Sequence, residues 1–172
     1  MKRGQGGREA TAAERPEPLE VAVKLLGMRA LTTQELRQRL AERGYALDQI
    51  QAVVARLTAS RYLDDAEYAR AWALARAHRH SVGPARLARE LRSKGIAEAE
   101  ISGVLREAFG ERDAREVAEA AAVRKAKTLQ GLTPEVARRR LGAFLTRQGF
   151  AVEVVLALCR KHFPSLAEPM DD

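Results

Sequence analysis

Residues 87–104 read LARELRSKGIAEAEISGV. Leu87 and Leu91 are four apart, so they share one face of a helix. Gly95 follows Lys94 where that helix should end, because the left-handed position after a last turn favours glycine. Ile96 then packs back, and Ile101 and Val104 mark the inward face of a second helix. The same frame, L-x3-L-x3-G-Φ-x4-Φ-x2-Φ with Φ apolar, occurs twice more. It is carried by Leu36, Leu40, Gly44, Tyr45, Ile50 and Val53, and again by Leu141, Leu145, Gly149, Phe150, Val155 and Leu158. Arg43 and Gln148 stand before the outer glycines as Lys94 does before the central one, and the three glycines are 51 and 54 residues apart. Three copies at near-constant spacing define an internal repeat.

A longer apolar-periodic stretch precedes each pair, at 19–28, 64–78 and 113–129. The expected fold is therefore all-α, with nine helices in three tandem three-helix, helix-turn-helix-like repeats. Neighbouring repeats should share apolar surface and form an elongated, curved array. The expected divisions are a disordered tail over 1–16, repeats over 17–62, 63–110 and 111–163, and a flexible acidic tail over 164–172. Helix starts agree with these divisions. Thr32 to Glu35 fits a capping box, with Leu31 and Leu36 as its staple, and Asp64 to Glu67 repeats the logic with Leu63 and Tyr68. Pro84 and Pro134 suit a first helical position, where the missing N–H is harmless.

Composition narrows the function. Ala, Leu, Arg and Glu are abundant, and 46% of the 172 residues are apolar, which argues for folded helices and against wholesale disorder. Cys159 is the only cysteine, so neither a disulfide framework nor an all-cysteine metal site is available. No apolar run reaches the roughly 18 residues a membrane span needs, and residues 1–18 have no apolar stretch of the kind a signal peptide carries. These features lead us to expect a cytoplasmic monomer without membrane attachment.

Thirty Lys and Arg against 23 Asp and Glu give a net charge of +7, and the excess is local. Residues 76–94 hold Arg76, Arg79, Arg86, Arg89, Arg92 and Lys94 against Glu90 alone, a balance of +5. Residues 124–147 hold Arg124, Lys125, Lys127, Arg138, Arg139, Arg140 and Arg147 against Glu135 alone, a balance of +6. Arg86, Arg89 and Arg92 fall opposite Leu87 and Leu91 on a helical wheel. Arg139, Arg140 and Arg147 likewise point away from Leu141 and Leu145. Two such faces at equivalent points of repeats two and three suit a track of phosphates or an acidic protein surface. These thirteen residues are the candidate binding set.

Catalytic patterns are missing. The early Gly4-Gln5-Gly6-Gly7 lacks the strand and lysine of a phosphate loop. Cys159 and His162 are three apart on the last helix but do not make a four-ligand metal site. His78 and His80 suit a helix end or the surface. No catalytic residue, metal or cofactor is assigned, and the chain is not expected to be an enzyme. Tyr68 and Trp72 share a helix face with Ala75 and are expected in the core rather than as base-stacking platforms.

The stretches Arg61-Tyr62-Leu63-Asp64-Asp65, Tyr68-Ala69-Arg70, Gly83-Pro84-x-Arg86-Leu87 and Glu90-Leu91-Arg92-x-Lys94-Gly95-Ile96 resemble the RecX family of recombinase regulators. The resemblance runs from about Pro18 to Phe163. It implies the triple three-helix fold, no catalytic residues, and binding to RecA and to its filament on single-stranded DNA, along the filament groove. It further implies inhibition of ATP hydrolysis, strand exchange and coprotease activity, with roles in DNA recombination, DNA repair and the SOS response. Ala85 departs from the pattern, since many relatives carry a basic residue after Gly-Pro.

The alternative is a helix-turn-helix transcription factor, whose corner the repeat resembles. A recognition helix exposes base-reading side chains near its start. The second helices here open with Asp48, Glu98 and Glu153, which repel phosphates.

Overall fold

Apolar spacing sets where the helices lie, and local chemistry sets their ends. A computed structural model describes residues 15–109 and 111–164, with the side chains of 78–80 and 111–113 outside the description. The tails expected at either end fall mostly on residues 1–14 and 165–172, outside the described residues. Among the described residues there are nine helices and no strand. They are α1 (Pro18–Met28), α2 (Thr33–Ala41), α3 (Leu47–Ala59), α4 (Asp65–His80), α5 (Pro84–Ser93), α6 (Glu98–Ala108), α7 (Glu111–Lys127), α8 (Pro134–Gln148) and α9 (Val152–His162). Packing groups them in threes: α1 with α2 and α3, α4 with α5 and α6, α7 with α8 and α9.

The three corners close the same way. Gly44, Gly95 and Gly149 adopt φ of +78°, +79° and +89°, the left-handed region that glycine enters without penalty. The next residue turns its N–H back onto the second leucine's carbonyl: Tyr45 to Leu40 at 3.3 Å, Ile96 to Leu91 at 3.2 Å, Phe150 to Leu145 at 3.3 Å. This closure satisfies a carbonyl that the helix end leaves open. All fifteen apolar positions of the repeated frame are buried. Helix starts also follow the sequence. Thr32 Oγ1 accepts from the Glu35 amide at 3.1 Å while the Glu35 carboxylate accepts from the Thr32 amide at 3.2 Å. Pro84 and Pro134 open α5 and α8.

The chain divides into two compact units, Met1–Asp64 and Asp65–Asp172. The first has one core, built on Ala22, Leu25, Leu36, Leu40, Ile50 and Val53 and including Leu31 and Leu63. Arg15 and Pro16 lie against its corner, with Arg15 Nη1 donating to the Gly44 carbonyl at 2.6 Å and Tyr45 Oη donating to the Pro16 carbonyl at 2.7 Å. The second unit has two cores, one under α4–α6 and one under α7–α9, and Val117 of α7 packs on both. Tyr68 packs on the α4–α6 core.

The two halves of the second unit meet where α8 ends and α5 begins. The Gln148 carbonyl accepts from the Gly83 amide at 2.8 Å, and the Gly149 carbonyl accepts from the Ala85 amide at 3.2 Å. Carbonyls left open at the end of one helix thus satisfy amides left open at the start of another, with the dipoles aligned head to tail. The approach is close enough to require glycine on both sides. A Cβ on Gly83 would lie 2.7 Å from the Gly149 carbonyl, and one on Gly149 would lie 2.3 Å from the Arg86 amide nitrogen. Nearby, Arg124 Nη2 of α7 donates to the hydroxyl of Ser81, a buried residue at φ +51°.

Candidate polyanion interface

The thirteen basic candidates sort into those consumed inside the protein and those left facing solvent. Glu90 gathers two of the first group, Arg76 and Arg86. It stands four residues after Arg86 on α5, facing α4, and its side chain is only 20% exposed. Arg76 of α4 holds it with a fork, Nε to Oε2 and Nη2 to Oε1, both at 2.7 Å. Arg86 Nε donates to Oε1 at 3.0 Å, and Trp72 Nε1 donates to Oε2 at 3.3 Å. Arg86 also reaches across the junction, its Nη1 donating to Gln148 Oε1 at 2.9 Å. Burial alone raises the Glu90 carboxyl's pKa, but the hydrogen bonds from Arg76 and Arg86, the Arg76 charge and the Trp72 N–H outweigh it, so the net shift is downward. The same contact raises Arg76.

The aromatic pair belongs to this cluster. Tyr68 and Trp72 stack nearly parallel, with ring centres 5.9 Å apart. Lys94 Nζ sits 4.4 Å from the Trp72 centre and 5.4 Å from that of Tyr68, and Arg76 lies over Trp72 at 5.3 Å. Both rings are half-buried at the edge of the core. They pack against the core as expected, at its edge, with cations over the rings.

Others are also engaged. Arg92 makes a fork with Glu98 at 2.8–3.1 Å, exposed on both sides. Arg124 anchors Ser81, and Lys125 lies 5.7 Å from the Phe144 ring centre. Arg138 is half-buried, and its carbonyl accepts from the Cys159 thiol at 3.6 Å. Arg79 lies in α4 with its side chain outside the described ones.

Five remain: Arg89 on α5, Lys127 at the end of α7, and Arg139, Arg140 and Arg147 on α8. All are exposed, and none forms an ion pair with a described residue. Arg140 and Arg147 are seven apart and share a face, about 10 Å along the axis. Of the three arginines expected to form an open face on α5, only Arg89 is unpaired, because Glu90 and Glu98 stand within reach of the other two. Charge balance along the chain does not reveal the central place of Glu90; the signal for it is its four-residue spacing from Arg86. Gln148, expected only as a helix-end residue, is a second partner of Arg86.

Acids line the opening turns of the second helices, with Asp48 in α3, Glu98 and Glu100 in α6, and Glu153 in α9. Such turns disfavour a phosphate at the position a recognition helix uses. Among the described residues no three His, Cys, Asp or Glu side chains are placed to hold a metal ion, and no helix is long and apolar enough to cross a membrane.

Fold and surface together define a helical-repeat protein in which three of the five unpaired basic candidates stand on one helix, α8. Family models for the first and second three-helix domains of RecX match residues 19–57 and 64–105. The chain is 30% identical over 145 residues to the regulatory protein RecX of Pelodictyon phaeoclathratiforme, covering 84% of this chain and 88% of that one. It is 38% identical over 142 residues to the regulatory protein RecX of Mycobacterium avium, covering 80% and 82%. The crystal structure of RecX from Lactobacillus salivarius shares the fold, with a TM-score of 0.74 over 84% of this chain and 94% of that chain at 16% identity. The chain belongs to the RecX family.

Proposed function

We propose that this chain is a non-enzymatic, cytoplasmic regulator that binds RecA and its filaments on single-stranded DNA. On this reading it inhibits their ATPase, strand-exchange and coprotease activities and so modulates recombination and repair. Family membership supports the regulatory role. Within the two basic segments, 76–94 and 124–147, the observation that carries the choice of partner is that five exposed cations make no ion pair or side-chain hydrogen bond with a described residue, three of them on α8. Arginines in this state offer planar forks to phosphate or carboxylate oxygens, and binding releases the counterions condensed on a nucleic acid. Arg76, Arg86 and Arg124 serve a different end: they brace the second unit, so that α5 and α8 present their cations in a constant relation. A braced body touching adjacent protomers favours whichever filament state its spacing fits. The test is ATP hydrolysis by RecA on single-stranded DNA with increasing amounts of this chain. Hydrolysis should fall progressively, and an unchanged rate at several-fold excess over filament sites refutes the reading.

A further inference from the structure

A groove of about 370 Å³ runs between α8 and α9, room for roughly a dozen waters. Aligned on their corner glycines, the three repeats differ at the positions that line it. Gly142 stands where the other repeats carry Arg37 and Ala88, and Cys159 where they carry Val54 and Leu105. Leu156, which is 50% exposed, replaces Gln51 and Ser102. Arg138 and Arg139 take the places of Thr33 and Gln34 in the first repeat and of Pro84 and Ala85 in the second. Gly142 lies inside α8, where glycine forms helix less well than alanine. Packing does not call for it: a Cβ there would meet Cys159 Sγ at 3.4 Å and Val155 Cγ1 at 3.9 Å, ordinary contacts. What the missing side chain does is leave the space between α8 and α9 open.

The lining defines the chemistry of an occupant. Pro134, Val155, Leu156 and Phe163 supply an apolar wall. Arg138 and Arg139 stand at the rim against Glu135, and neither arginine forms an ion pair with a described residue. No side chain caps the start of α8, so the positive end of its dipole adds to the two guanidinium groups. The α8 wall from Pro134 to Gly142 is about 12 Å long, two helical turns. An apolar trough of that length with a positive rim suits a third helix, with apolar side chains four apart in the trough and carboxylates on the arginines. A phosphate backbone would meet the arginines but leave the apolar wall in water.

We propose that the α8–α9 groove docks an amphipathic, acid-flanked helix of a partner protein, its apolar side chains covering Val155 and Leu156 and its carboxylates meeting Arg138 and Arg139. The proposal stands whether or not RecA is the partner, and its test contains no RecA. A synthetic peptide of about 12 residues, about 18 Å as a helix, carries leucines four apart on a background of glutamate and alanine. Titrated into the isotope-labelled full chain, it should shift the amide signals of Gly142 and Leu156 saturably, and leave that of Gly103 on α6 in place. A peptide with serines for leucines keeps the same charge, so general attraction to a chain of net charge +7 is common to both; it should bind about tenfold or more weakly. A peptide with lysines for glutamates should also lose about tenfold or more. Gly142→Leu fills the groove with a better helix former, and should abolish the shift at Leu156 while helical content by circular dichroism is kept. Arg138→Gln with Arg139→Gln should weaken binding about tenfold. No shift at Gly142 and Leu156 overturns the proposal, as does equal binding of the lysine or serine peptide. Shifts there with a single-stranded oligonucleotide but not the peptide assign the groove to nucleic acid, and concentration-dependent shifts without peptide assign it to a second copy; either result also overturns the proposal.

Discussion

Replacing Gly149 by alanine tests the junction of α8 and α5. Its φ of +89° alone sets a penalty of about 1–2 kcal/mol for an L side chain. Gly131, at φ +87° and with open space where a Cβ would stand, supplies that penalty in isolation. At Gly149 the added Cβ would lie 2.3 Å from the Arg86 amide nitrogen and 2.6 Å from Arg86 Cβ, in the body of α5. A side chain cannot swing clear of such a contact, so α5 must retreat by about 1 Å to regain van der Waals distance. That retreat strains three hydrogen bonds: Gly83 to Gln148, Ala85 to Gly149, and Arg86 to the Gln148 side chain. At about 1 kcal/mol each, Gly149→Ala should lose about 3 kcal/mol more than Gly131→Ala. Trp72, the only tryptophan, lies in the same compact unit and reports its unfolding in urea by fluorescence. For a body of this size the gap is roughly 12 °C in Tm. Equal destabilisation of the two variants, within about 0.5 kcal/mol, refutes the close-contact reasoning.

Glu90→Gln should lose about 2 kcal/mol at neutral pH, because it weakens charge-assisted bonds from Arg76 and Arg86. The folded-state pKa of Glu90 is depressed, so its contribution is fully present above the ordinary carboxylate range near about 4.3 and is lost as pH falls through the folded value. Acid unfolding of the variant should therefore converge on that of the wild type, and a constant gap down to the acid limit contradicts the assignment. Thr32→Ala removes one side of the capping box and should cost about 1 kcal/mol, read as faster amide exchange in α2. Burial pushes the Cys159 thiol up, so a thiol reagent should modify the native protein at mildly alkaline pH far more slowly than the unfolded chain; equal rates count against the buried placement.

The helices and their corners are legible in the sequence because they rest on short-range rules. Leucines four apart, a glycine at the turn and an apolar residue behind it are local signals, and they recur three times. The same glycine rule predicts the backbone at Gly149 but not its contact with Gly83, which brings together positions 66 residues apart. The basic clusters are visible as charge balance, yet balance does not report pairing. Glu90 counts as one acid among six cations, whereas in space it holds Arg76 and Arg86 together, and Gln148 reaches Arg86 from the other half of the unit. Tyr68 and Trp72 share one helix face, as their spacing implies; the covering cation, Lys94, comes from the end of another helix and leaves no local trace. Only the fold separates braced from exposed arginines.

The most direct measurement is the affinity of this chain for RecA filaments on single-stranded DNA, taken across a salt series. It compares the wild type with the combined variant Arg139→Ala, Arg140→Ala and Arg147→Ala, three exposed side chains whose removal breaks no ion pair among the described residues. The wild type should bind with an affinity that falls as salt rises. The variant should bind about tenfold or more weakly, with a shallower salt dependence reduced by about two phosphate equivalents. Equal affinity and equal salt dependence for the two proteins would contradict the account, as would no binding by the wild type at low salt.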